Sequence, residues 1–349
     1  MKKILFSILA GVVVLAACGG GGSGGGSSEE TSGEASSEAT TETIVLKLGH
    51  VGPVDEEHPW ERYAKIFAER VAEATDGQVK VETYPASQLG ADREMLEGMQ
   101  QGVVDMGLIG TIAMGNFVPE YQVWDLPYIF PTDQEKKDEI VHGAIGEELA
   151  GYARDRGFEI IAYWHHSNRA LSNSVRPVKS IDDMKGLKLR TVENPASLDW
   201  FVEIGTTPTP MAFNELYTAL QQGVVDGQDN GPALTFGSKL YEVQPYFTYT
   251  DHIYSVLAFV VSKKVWDSLP EAIQTTLRDL AREVGEEQTE YSLEMEKVYG
   301  QRMEEAGVEV HRLSPEELKR FEESALPTYE RLAPEIGEDL VNKMLEFKE

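Results

Sequence analysis

The hexapeptide QQGVVD stands at residues 100–105 and recurs unchanged at residues 221–226. Each copy closes a helical pattern, at residues 93–101 and 213–222, and in each the glycine ends the helix and leads the chain into a strand. Helix–glycine–strand junctions are common, so convergence is the alternative explanation of the match. The equivalent contexts favour two similar lobes, and two α/β lobes predict a small-molecule site in the cleft between them.

Outward from the first copy, short strands alternate with helices. Residues 44–50 and 79–84 have strand patterns bounded by turns, and residues 60–74 carry the apolar stripe of an amphipathic helix. A further strand is predicted at residues 103–109, after the helix that Gly102 ends. This alternation indicates an α/β fold with helices on both faces of the sheets.

The composition limits the possible classes of protein. The chain has 349 residues, 41% hydrophobic and 26% charged, so it can bury more than one core and two domains are expected. With 31 Lys and Arg against 59 Asp and Glu, its formal net charge is −28, which argues strongly against nucleic acid as a partner. Because Cys18 is the only cysteine, no intramolecular disulfide or cysteine metal cluster can form.

The first residues have the pattern of an export signal. A basic start, Met1-Lys2-Lys3, precedes an apolar run at residues 4–15 that is too short for a membrane-spanning helix. The run ends in Leu15-Ala16-Ala17-Cys18, which resembles the bacterial lipobox. Residues 1–18 are therefore predicted to be a lipoprotein signal peptide with Cys18 retained as the lipidated N-terminus. An ordinary signal peptide with an incidental cysteine is the alternative.

Residues 19–43 are rich in Gly, Ser, Thr and Glu and contain no aromatic residue. Such a segment cannot build a core, so it is predicted to be a flexible linker. A lipid at one end and a folded body at the other predict a protein anchored in the cell membrane on its outer, extracytoplasmic face. The two or three acyl chains of a lipoprotein cysteine anchor stably, whereas one chain does not.

A basic stretch at residues 168–190 interrupts this acidic chain, with six basic and two acidic residues. Arg169 follows an apolar run, and Arg190 ends a predicted strand at residues 187–190. Ligands bind beyond the carboxyl ends of strands in α/β sheets, and the arginine fork matches a carboxylate with two hydrogen bonds. The two arginines are therefore candidates for a carboxylate clamp, with structural ion pairs as the alternative.

Long motifs in this region and elsewhere resemble the substrate-binding proteins of TRAP transporters, the DctP family. The motifs are RALSNSVRPVKSIDDMKGLKLRTVENP, TPTPMAFNELYTALQQGVVDGQDN, YPASQLGADREMLEGMQQGVVDMG, WDLPYIF and VVSKKVWDSLPEAIQ. The resemblance runs from about residue 44 to the C-terminus. It implies a two-lobed periplasmic-binding-protein-like α/β fold that captures an organic acid and delivers it to a membrane carrier driven by an ion gradient. It implies no enzyme activity and no cofactor.

The resemblance also implies where ligand contacts lie in the second lobe. Arg190 matches the arginine of the family's G-L-K-[IL]-R motif, which grips the substrate carboxylate, and Arg169 matches a second carboxylate contact. Four further positions are implied to border the pocket: Phe213, whose ring lines it, Asn230 of D-G-Q-[ED]-N, and Glu193 and Asn194 of an R-V-P-E-N-P-like stretch.

Two departures from the family pattern border this pocket. The sequence HHSN at residues 165–168 precedes Arg169 where many members have a glycine-containing segment, and Gly231 separates Asn230 from Pro232. The substrate of a relative therefore cannot be transferred. A C4-dicarboxylate, a sugar acid such as a uronate, and a keto acid all present a carboxylate to Arg190, and the sequence leaves the three open.

Three residues of the first lobe complete the predicted site. His50 and His58 lie on early loops, and Thr111 follows a predicted strand as a polar contact. Together with His165 and His166 the first two could form a metal set, but no HExxH or comparable ligand spacing supports one. We therefore expect no metal, and we favour His58 as a hydrogen-bonding residue that orients its loop.

The family pattern implies where the lobes divide. Lobe I takes residues 44–167 plus about 256–295, and lobe II takes residues 168–255 plus about 296–349. A long helix from about residue 271 to 299 spans both, with Gly285 as a mild weakness in it. Closure of the lobes requires a ligand that contacts both of them, because only differential affinity shifts the equilibrium.

Three functions remain after these steps. The first is a lipid-anchored solute-binding protein that serves a TRAP carrier, and the second is the ligand-binding component of a surface sensor complex, which needs the same closing cleft. The third is an extracellular hydrolase. Against it, the chain has no G-x-S-x-G motif, no thiol nucleophile in its folded body and no metal-ligand spacing.

Overall fold

The computed structural model describes residues 43–348 of the chain. The predicted signal peptide, the lipobox with Cys18, and the predicted linker up to residue 42 lie outside the described residues. Among the helices that are described, none is long and apolar enough to cross a membrane.

Helices and strands alternate along the described chain. The α-helices are α1 Pro59–Ala74, α2 Asp92–Gln101, α3 Thr111–Met114, α4 Gln134–His142, α5 Ala144–Asp155, α6 Pro195–Glu203, α7 Phe213–Gln221, α8 Pro232–Gly237, α9 Lys263–Ser268, α10 Glu271–Glu305, α11 Pro315–Ile336 and α12 Glu338–Lys348. The strands are β1 Ile44–His50, β2 Val79–Tyr84, β3 Met106–Gly110, β4 Phe158–Asn168, β5 Leu171–Asn173, β6 Lys188–Thr191, β7 Thr207–Pro210, β8 Gly227–Gln228, β9 Tyr246–Tyr249, β10 Tyr254–Ser262 and β11 Glu309–Arg312. Short 3₁₀ helices lie at Pro119–Asp125, Ile181–Met184 and Leu240–Val243.

The strands form two sheets, each the centre of one lobe. The first sheet has the order β2-β1-β3-β10-β4, and the second has the order β11-β9-β5-β8-β6-β7. In the first, β1 runs parallel to β2 and β3, whereas β10 runs antiparallel to β3 and β4. The chain passes from the first sheet to the second between β4 and β5, and returns between β9 and β10. The structure therefore has the predicted two-lobed α/β architecture.

The two QQGVVD copies have matching structures. The glycine after each helix, Gly102 or Gly223, has a left-handed φ of 79° or 69°. In the first copy Oδ2 of Asp105 accepts the backbone N–H of Lys47 at 2.9 Å. In the second, Oδ2 of Asp226 accepts the backbone N–H of Lys188 at 2.9 Å. The aspartate thus ties each helix–strand junction to the neighbouring parallel strand.

The predicted start of the strand after the first copy was wrong. β3 begins at Met106 and not at residue 103, and β8 has only two residues. The first valine of each copy is exposed, Val103 by 68% and Val224 by 54%, because both valines still belong to the turn that ends the helix. The backbone N–H of Val103 donates to the carbonyl of Gly98, which keeps this residue out of the strand ladder.

Helix α10 continues to Glu305, beyond the predicted end, and packs against elements of both lobes. It contacts α1 and β4 beside the first sheet, and α8 and β11 beside the second. Gly285 allows the closest approach to β4, since a Cβ there would lie 2.5 Å from Cδ1 of Trp164. The indole Nε1 of Trp164 donates to the carbonyl of Ala281 at 2.8 Å. The glycine is therefore a packing requirement of the helix.

A β-bulge near the end of β4 positions the segment that enters the second lobe. The register shifts between Ser255 and Val256 of β10, so His166 has no partner in the ladder. The side-chain amide of Gln288 in α10 hydrogen-bonds to the backbone of His165. Its Oε1 accepts the His165 N–H at 3.0 Å, and its Nε2 donates to the His165 carbonyl at 2.8 Å. The two bonds satisfy backbone groups of His165 on β4, which is the edge strand of the sheet, and fix this strand to α10.

Candidate ligand-binding site

Arg190 lies in β6, a strand that pairs in parallel with β7 and β8. Its side chain is buried, and Nε donates to the carbonyl of Met211 at 2.9 Å. The Phe213 ring centroid lies 5.9 Å from Cζ, within the range of a cation–π contact. Nη1 is buried and has no hydrogen-bond partner. Burial lowers the pKa of this guanidinium to about 10, so it remains a cation at neutral pH.

A cavity of about 360 Å³ opens at this arginine, between elements of the two lobes. Its polar wall on the side of the first lobe includes Asp92, Arg93 and Asn116, and on the side of the second lobe Arg190 and Glu193. Its apolar wall includes Phe213. The volume is at the small end of the range for ligand pockets, which suits a small organic molecule. Three of the sequence-predicted residues, Arg190, Glu193 and Phe213, therefore meet at one cavity.

Asp92 is an acid of this cavity with a buried carboxylate oxygen, and sequence reasoning missed it. It begins α2, and its Oδ1 is buried without a hydrogen-bond partner. Burial raises the pKa of the carboxyl to about 7, against the opposing pull of Arg190, Arg169 and the Gly110 amide. An acid at the start of a helix ordinarily complements the helix dipole. For that reason the position of Asp92 in the sequence does not distinguish a ligand-binding acid from an ordinary acid at a helix N-terminus.

Glu193 and Asn194 join the two lobes beside the cavity. The Glu193 carboxylate pairs with Arg93, and its carbonyl accepts a hydrogen bond from the amide of Asn116. The amide Nδ2 of Asn194 donates to the carbonyl of Ile112 at 2.9 Å and to Oδ2 of Asp125 at 2.8 Å. Both residues therefore contact protein groups of the first lobe.

Asn194 also begins α6, where its Oδ1 accepts the N–H of Ser197 at 3.1 Å and caps the helix. Its neighbour across the lobes, Asp125, is buried, and burial raises the pKa of that carboxyl to about 7. The Asn194 amide and Arg169 act in the opposite direction on this pKa. A buried acid thus lies at the contact between the lobes.

Arg169 lies in a buried network next to the cavity. Nε and Nη2 donate to the two carboxylate oxygens of Asp229 at 3.0 and 2.9 Å, a bidentate pair. Nη2 also reaches Oδ1 of Asn230 at 3.4 Å, and the Asn230 amide donates to Oε1 of Gln228 at 2.6 Å. The residues Arg169 and Asn230 are therefore held by each other and by the fold.

Asp229 is the second acid that sequence reasoning missed, although it directly precedes Asn230 in the motif. Burial alone would raise the pKa of this carboxyl, but Arg169 and His252 hold it down to about 2. Nε2 of His252 lies 3.7 Å from Oδ2 of Asp229, and the ring stacks on Trp200 with centroids 5.1 Å apart. Asp229 therefore carries the charge that balances Arg169.

The predicted residues of the first lobe are all buried and bonded to the protein. His50 hydrogen-bonds through Nε2 to Oε2 of Glu61 at 3.1 Å. His58 begins α1 as its N-cap, with Nδ1 accepting the N–H of Trp60 at 3.4 Å, and burial lowers its pKa to about 3. The hydroxyl of Thr111 donates to the carbonyl of Val256 at 3.1 Å. None of the three lines the cavity at Arg190.

The histidine pair of β4 also bonds within the protein. His165 contacts Glu296 through Nε2 at 3.1 Å and the Tyr254 hydroxyl through Nδ1 at 3.2 Å. His166 contacts the hydroxyl of Ser167 through Nδ1 at 2.9 Å. Within residues 43–348, no group of three or more His, Cys, Asp or Glu side chains is arranged to hold a metal ion.

Comparison with known proteins identifies the family. The model of DctP, the bacterial extracellular solute-binding protein family 7, matches residues 48–335. The C4-dicarboxylate-binding periplasmic protein DctP of Rhodobacter capsulatus is 35% identical over 315 residues, 88% of this chain and 91% of that protein.

Two solved structures are similar along nearly their whole length. The sugar acid binding protein DctPAm of Advenella mimigardefordensis, in complex with galactonate, has a TM-score of 0.85 and 29% identity, and the match covers 88% of this chain and 98% of that one. A TRAP periplasmic solute-binding protein of Polaromonas, bound to D-erythronate, has a TM-score of 0.82 and 33% identity, with coverages of 86% and 98%. The chain belongs to the DctP family of bacterial extracellular solute-binding proteins, which bind substrates for transport and are not enzymes.

Proposed function

We propose that this protein captures a small organic acid in the cleft between its lobes and delivers it to a TRAP membrane carrier. The observation that carries the proposal is the buried, unpartnered Nη1 of Arg190 at a cavity of about 360 Å³. A buried donor without an acceptor costs about 1–3 kcal/mol. A ligand carboxylate removes that cost and forms a charge-assisted hydrogen bond in its place.

The relatives support this choice of ligand. The R. capsulatus protein is named for C4-dicarboxylates, and the two solved structures hold galactonate and D-erythronate, so each name or complex refers to a carboxylate. The feature common to these acids is the group that an arginine fork binds best. We therefore propose the carboxylate as the recognised group.

Closure of the lobes around the ligand is the proposed mechanism. Arg93 and Asn116 of the first lobe contact Glu193 of the second at the edge of the cavity, so the closed form has polar contacts of its own. A ligand that touches both walls adds affinity for the closed form only and shifts the equilibrium towards it. Small-angle scattering with and without ligand should show a smaller radius of gyration at saturation, and an unchanged radius would refute closure.

We also propose that Cys18 anchors the protein to the outer face of the cell membrane. The support is the sequence of residues 1–18, with its basic start, apolar run and Leu-Ala-Ala-Cys end. Fractionation of cells that express the Cys18→Ala variant should show the protein released from membranes or left unprocessed. Mass spectrometry that finds cleavage elsewhere, or an unmodified cysteine, would contradict the anchor.

A thermal-shift screen against organic acids tests the proposed function directly. A ligand at a hundredfold excess over its Kd stabilises the folded protein by about 2.7 kcal/mol, which gives a visible rise in Tm. Wild type should respond to at least one acid, and the Arg190→Met variant should lose that response. Amides of the same acids serve as controls, because they keep the shape but lack the charge. A panel without any response in wild type would contradict the proposal.

A further inference from the structure

We infer that the cavity selects monocarboxylates that carry hydroxyl groups over dicarboxylates, and that Asp92 is the residue that sets this preference. The inference rests on the proposed function, since it assumes that Arg190 binds a ligand carboxylate. It adds the class of acid, which neither the fold nor the family determines.

The first argument is the number of cations that are free to bind a ligand. Three arginines lie in or next to the cavity among the described residues. Arg169 is held by both oxygens of Asp229, and Arg93 pairs with Glu193. Arg190 alone of the three has no salt bridge, and its Nη1 has no hydrogen-bond partner. The site thus offers one cationic group, and a second ligand carboxylate would have to displace an acid of the protein.

The second argument is the group that faces the rest of the ligand. Asp92 lines the same cavity as Arg190, from the opposite lobe, and its Oδ1 is buried without a donor. A carboxylate oxygen accepts hydrogen bonds, so a ligand hydroxyl meets its need. A ligand carboxylate brings no proton, and two carboxylates in one site repel each other. The same atom therefore favours a hydroxyl and opposes a second carboxylate.

Protonation of Asp92 makes the discrimination depend on pH. Because burial raises the pKa of this carboxyl to about 7, a dicarboxylate could be accepted if the site took up a proton. Such binding would weaken as the pH rises above neutrality, whereas binding of a hydroxylated monocarboxylate would persist. The charged groups that face Asp92 are Arg190 and Arg169, with Arg93, Glu193 and Glu215 at the cavity wall.

The test compares four acids of equal chain length by calorimetric titration at pH 8. D-Erythronate has one carboxylate and hydroxyls, L-tartrate has two carboxylates and hydroxyls, succinate has two carboxylates only, and butyrate has one carboxylate only. We expect D-erythronate to bind at least tenfold more tightly than each of the other three. Lengthening the hydroxylated acid to D-gluconate then measures how much of the cavity is used.

The variant Asp92→Asn assigns the preference to one residue. The amide keeps the size and removes the charge, so the ratio of succinate to D-erythronate dissociation constants should fall at least tenfold. Glu73→Gln is the matched control, because it removes one negative charge at an exposed position of α1 and should leave the ratio unchanged. Melting curves of both variants check that they are folded.

The outcomes separate this inference from the proposed function. If wild type binds succinate or tartrate more tightly than D-erythronate, the inference is overturned while the function as a carboxylate-binding protein stands. An unchanged ratio in Asp92→Asn also overturns it, because the preference then arises elsewhere. If wild type binds none of the four acids nor any other carboxylate of a wider panel, the proposed function fails as well.

Discussion

Arg169 and Arg190 differ in what meets the ends of their guanidinium groups, although both are buried in the second lobe. Two nitrogens of Arg169 donate to one carboxylate of the protein, that of Asp229. Arg190 donates through Nε to a backbone carbonyl, and its Nη1 is left without an acceptor at the cavity wall. Burial and residue type alone do not separate a structural arginine from a ligand-binding one, whereas an inventory of donors and acceptors does.

The acids beside the two arginines differ in the same way. Asp229, in a bidentate pair, has a pKa held down to about 2, whereas Asp92, which makes no ion pair, has a pKa raised to about 7 by burial. Burial acts in the same direction on both pKa values, but at Asp229 the contacts with Arg169 and His252 more than offset it. The difference teaches that direct contact with a cation, and not mere proximity, keeps a buried carboxyl ionised.

Removal of Arg169 should have the largest effect of the variants that test this comparison. Arg169→Met leaves Asp229 as a buried charge without its partner, which costs about 3–5 kcal/mol of the free energy of unfolding. Urea unfolding of the ligand-free protein measures the loss. In the double variant Arg169→Met with Asp229→Asn, much of the lost unfolding free energy should be regained, because the buried unpaired charge is removed. A single variant as stable as wild type would show that the pair is not structural.

Removal of Arg190 should reverse the pattern, with a large effect on binding and a small one on stability. Arg190→Met or Arg190→Lys loses the fork to the ligand carboxylate, so affinity should fall by about 2–5 kcal/mol. The free energy of unfolding of the ligand-free protein should change by only about 1 kcal/mol, since one hydrogen bond to a backbone carbonyl is lost. Calorimetric titration and urea unfolding measure the two quantities.

Wild-type affinity in Arg190→Met would break the comparison and leave Arg169 as the remaining candidate for the clamp. A drop in stability equal to that of Arg169→Met would also break it, because Arg190 would then have an essential partner inside the fold. Arg190→Lys keeps the charge without the planar fork, so its loss of affinity reports the geometric part of the interaction.

The pH dependence of stability should have opposite signs for the two acids. Between about pH 3.8 and 7 the folded state holds the Asp92 proton that the unfolded state releases, so this group lowers stability as the pH rises. Asp92→Asn should therefore be more stable than wild type at pH 8, by on the order of 1–3 kcal/mol, and equal to it below pH 4. The pKa of Asp229 is lowered, so its contribution is present above pH 3.8 and is lost as the pH falls towards 2.

Urea unfolding of wild type and Asp92→Asn between pH 3.5 and 8 measures this difference. A constant difference across the range would mean that the pKa of Asp92 is the same in the folded and unfolded states. That result would remove the contrast with Asp229.

The smallest expected effect belongs to the aromatic ring beside Arg190. Phe213→Leu keeps the apolar wall of the cavity and removes a cation–π contact at 5.9 Å, worth about 0.5–1 kcal/mol. Because this contact exists without ligand, the free energy of unfolding should fall by about that amount, whereas ligand affinity should stay within about twofold of wild type. Because Arg169 has no aromatic ring above it in the described structure, no matching loss is expected there. A tenfold or larger loss of affinity would indicate that the ring contacts the ligand itself.

The periodic parts of the chain could be predicted, because they depend on local patterns. The strands Ile44–His50 and Val79–Tyr84 begin and end at the predicted residues, and α1 differs by one residue at its start. The start of the strand after the first QQGVVD copy could not be predicted, since the hydrogen bond from the Val103 N–H to the Gly98 carbonyl extends the turn that ends the helix. Val103 is exposed and Val104 is buried, although both are valines, and only the tertiary structure decides this difference.

The site could be predicted where a motif and a chemical requirement coincide, as at Arg190. Asp92 could not be predicted in this way. It lies in the other lobe, 98 residues before Arg190 in the chain, and the two residues meet at the cavity only in the folded structure. The predicted contacts Arg169, Asn230, His50, His58 and Thr111 remain predictions as ligand contacts. In the structure each has a hydrogen-bond partner within the protein. Sequence spacing does not reveal such internal partners.

Gly285 sets a limit on how this protein can be stabilised by engineering. Replacement of a helix glycine by alanine is a common way to raise Tm, because alanine favours the helix by about 1 kcal/mol. In α10 the new methyl group would lie 2.5 Å from the Trp164 ring, so the helix would have to move away from the strand that leads into the second lobe. An engineer who wants a stiffer α10 should work on its solvent-facing positions, such as Thr275, and leave this glycine as the fixed point of the redesign.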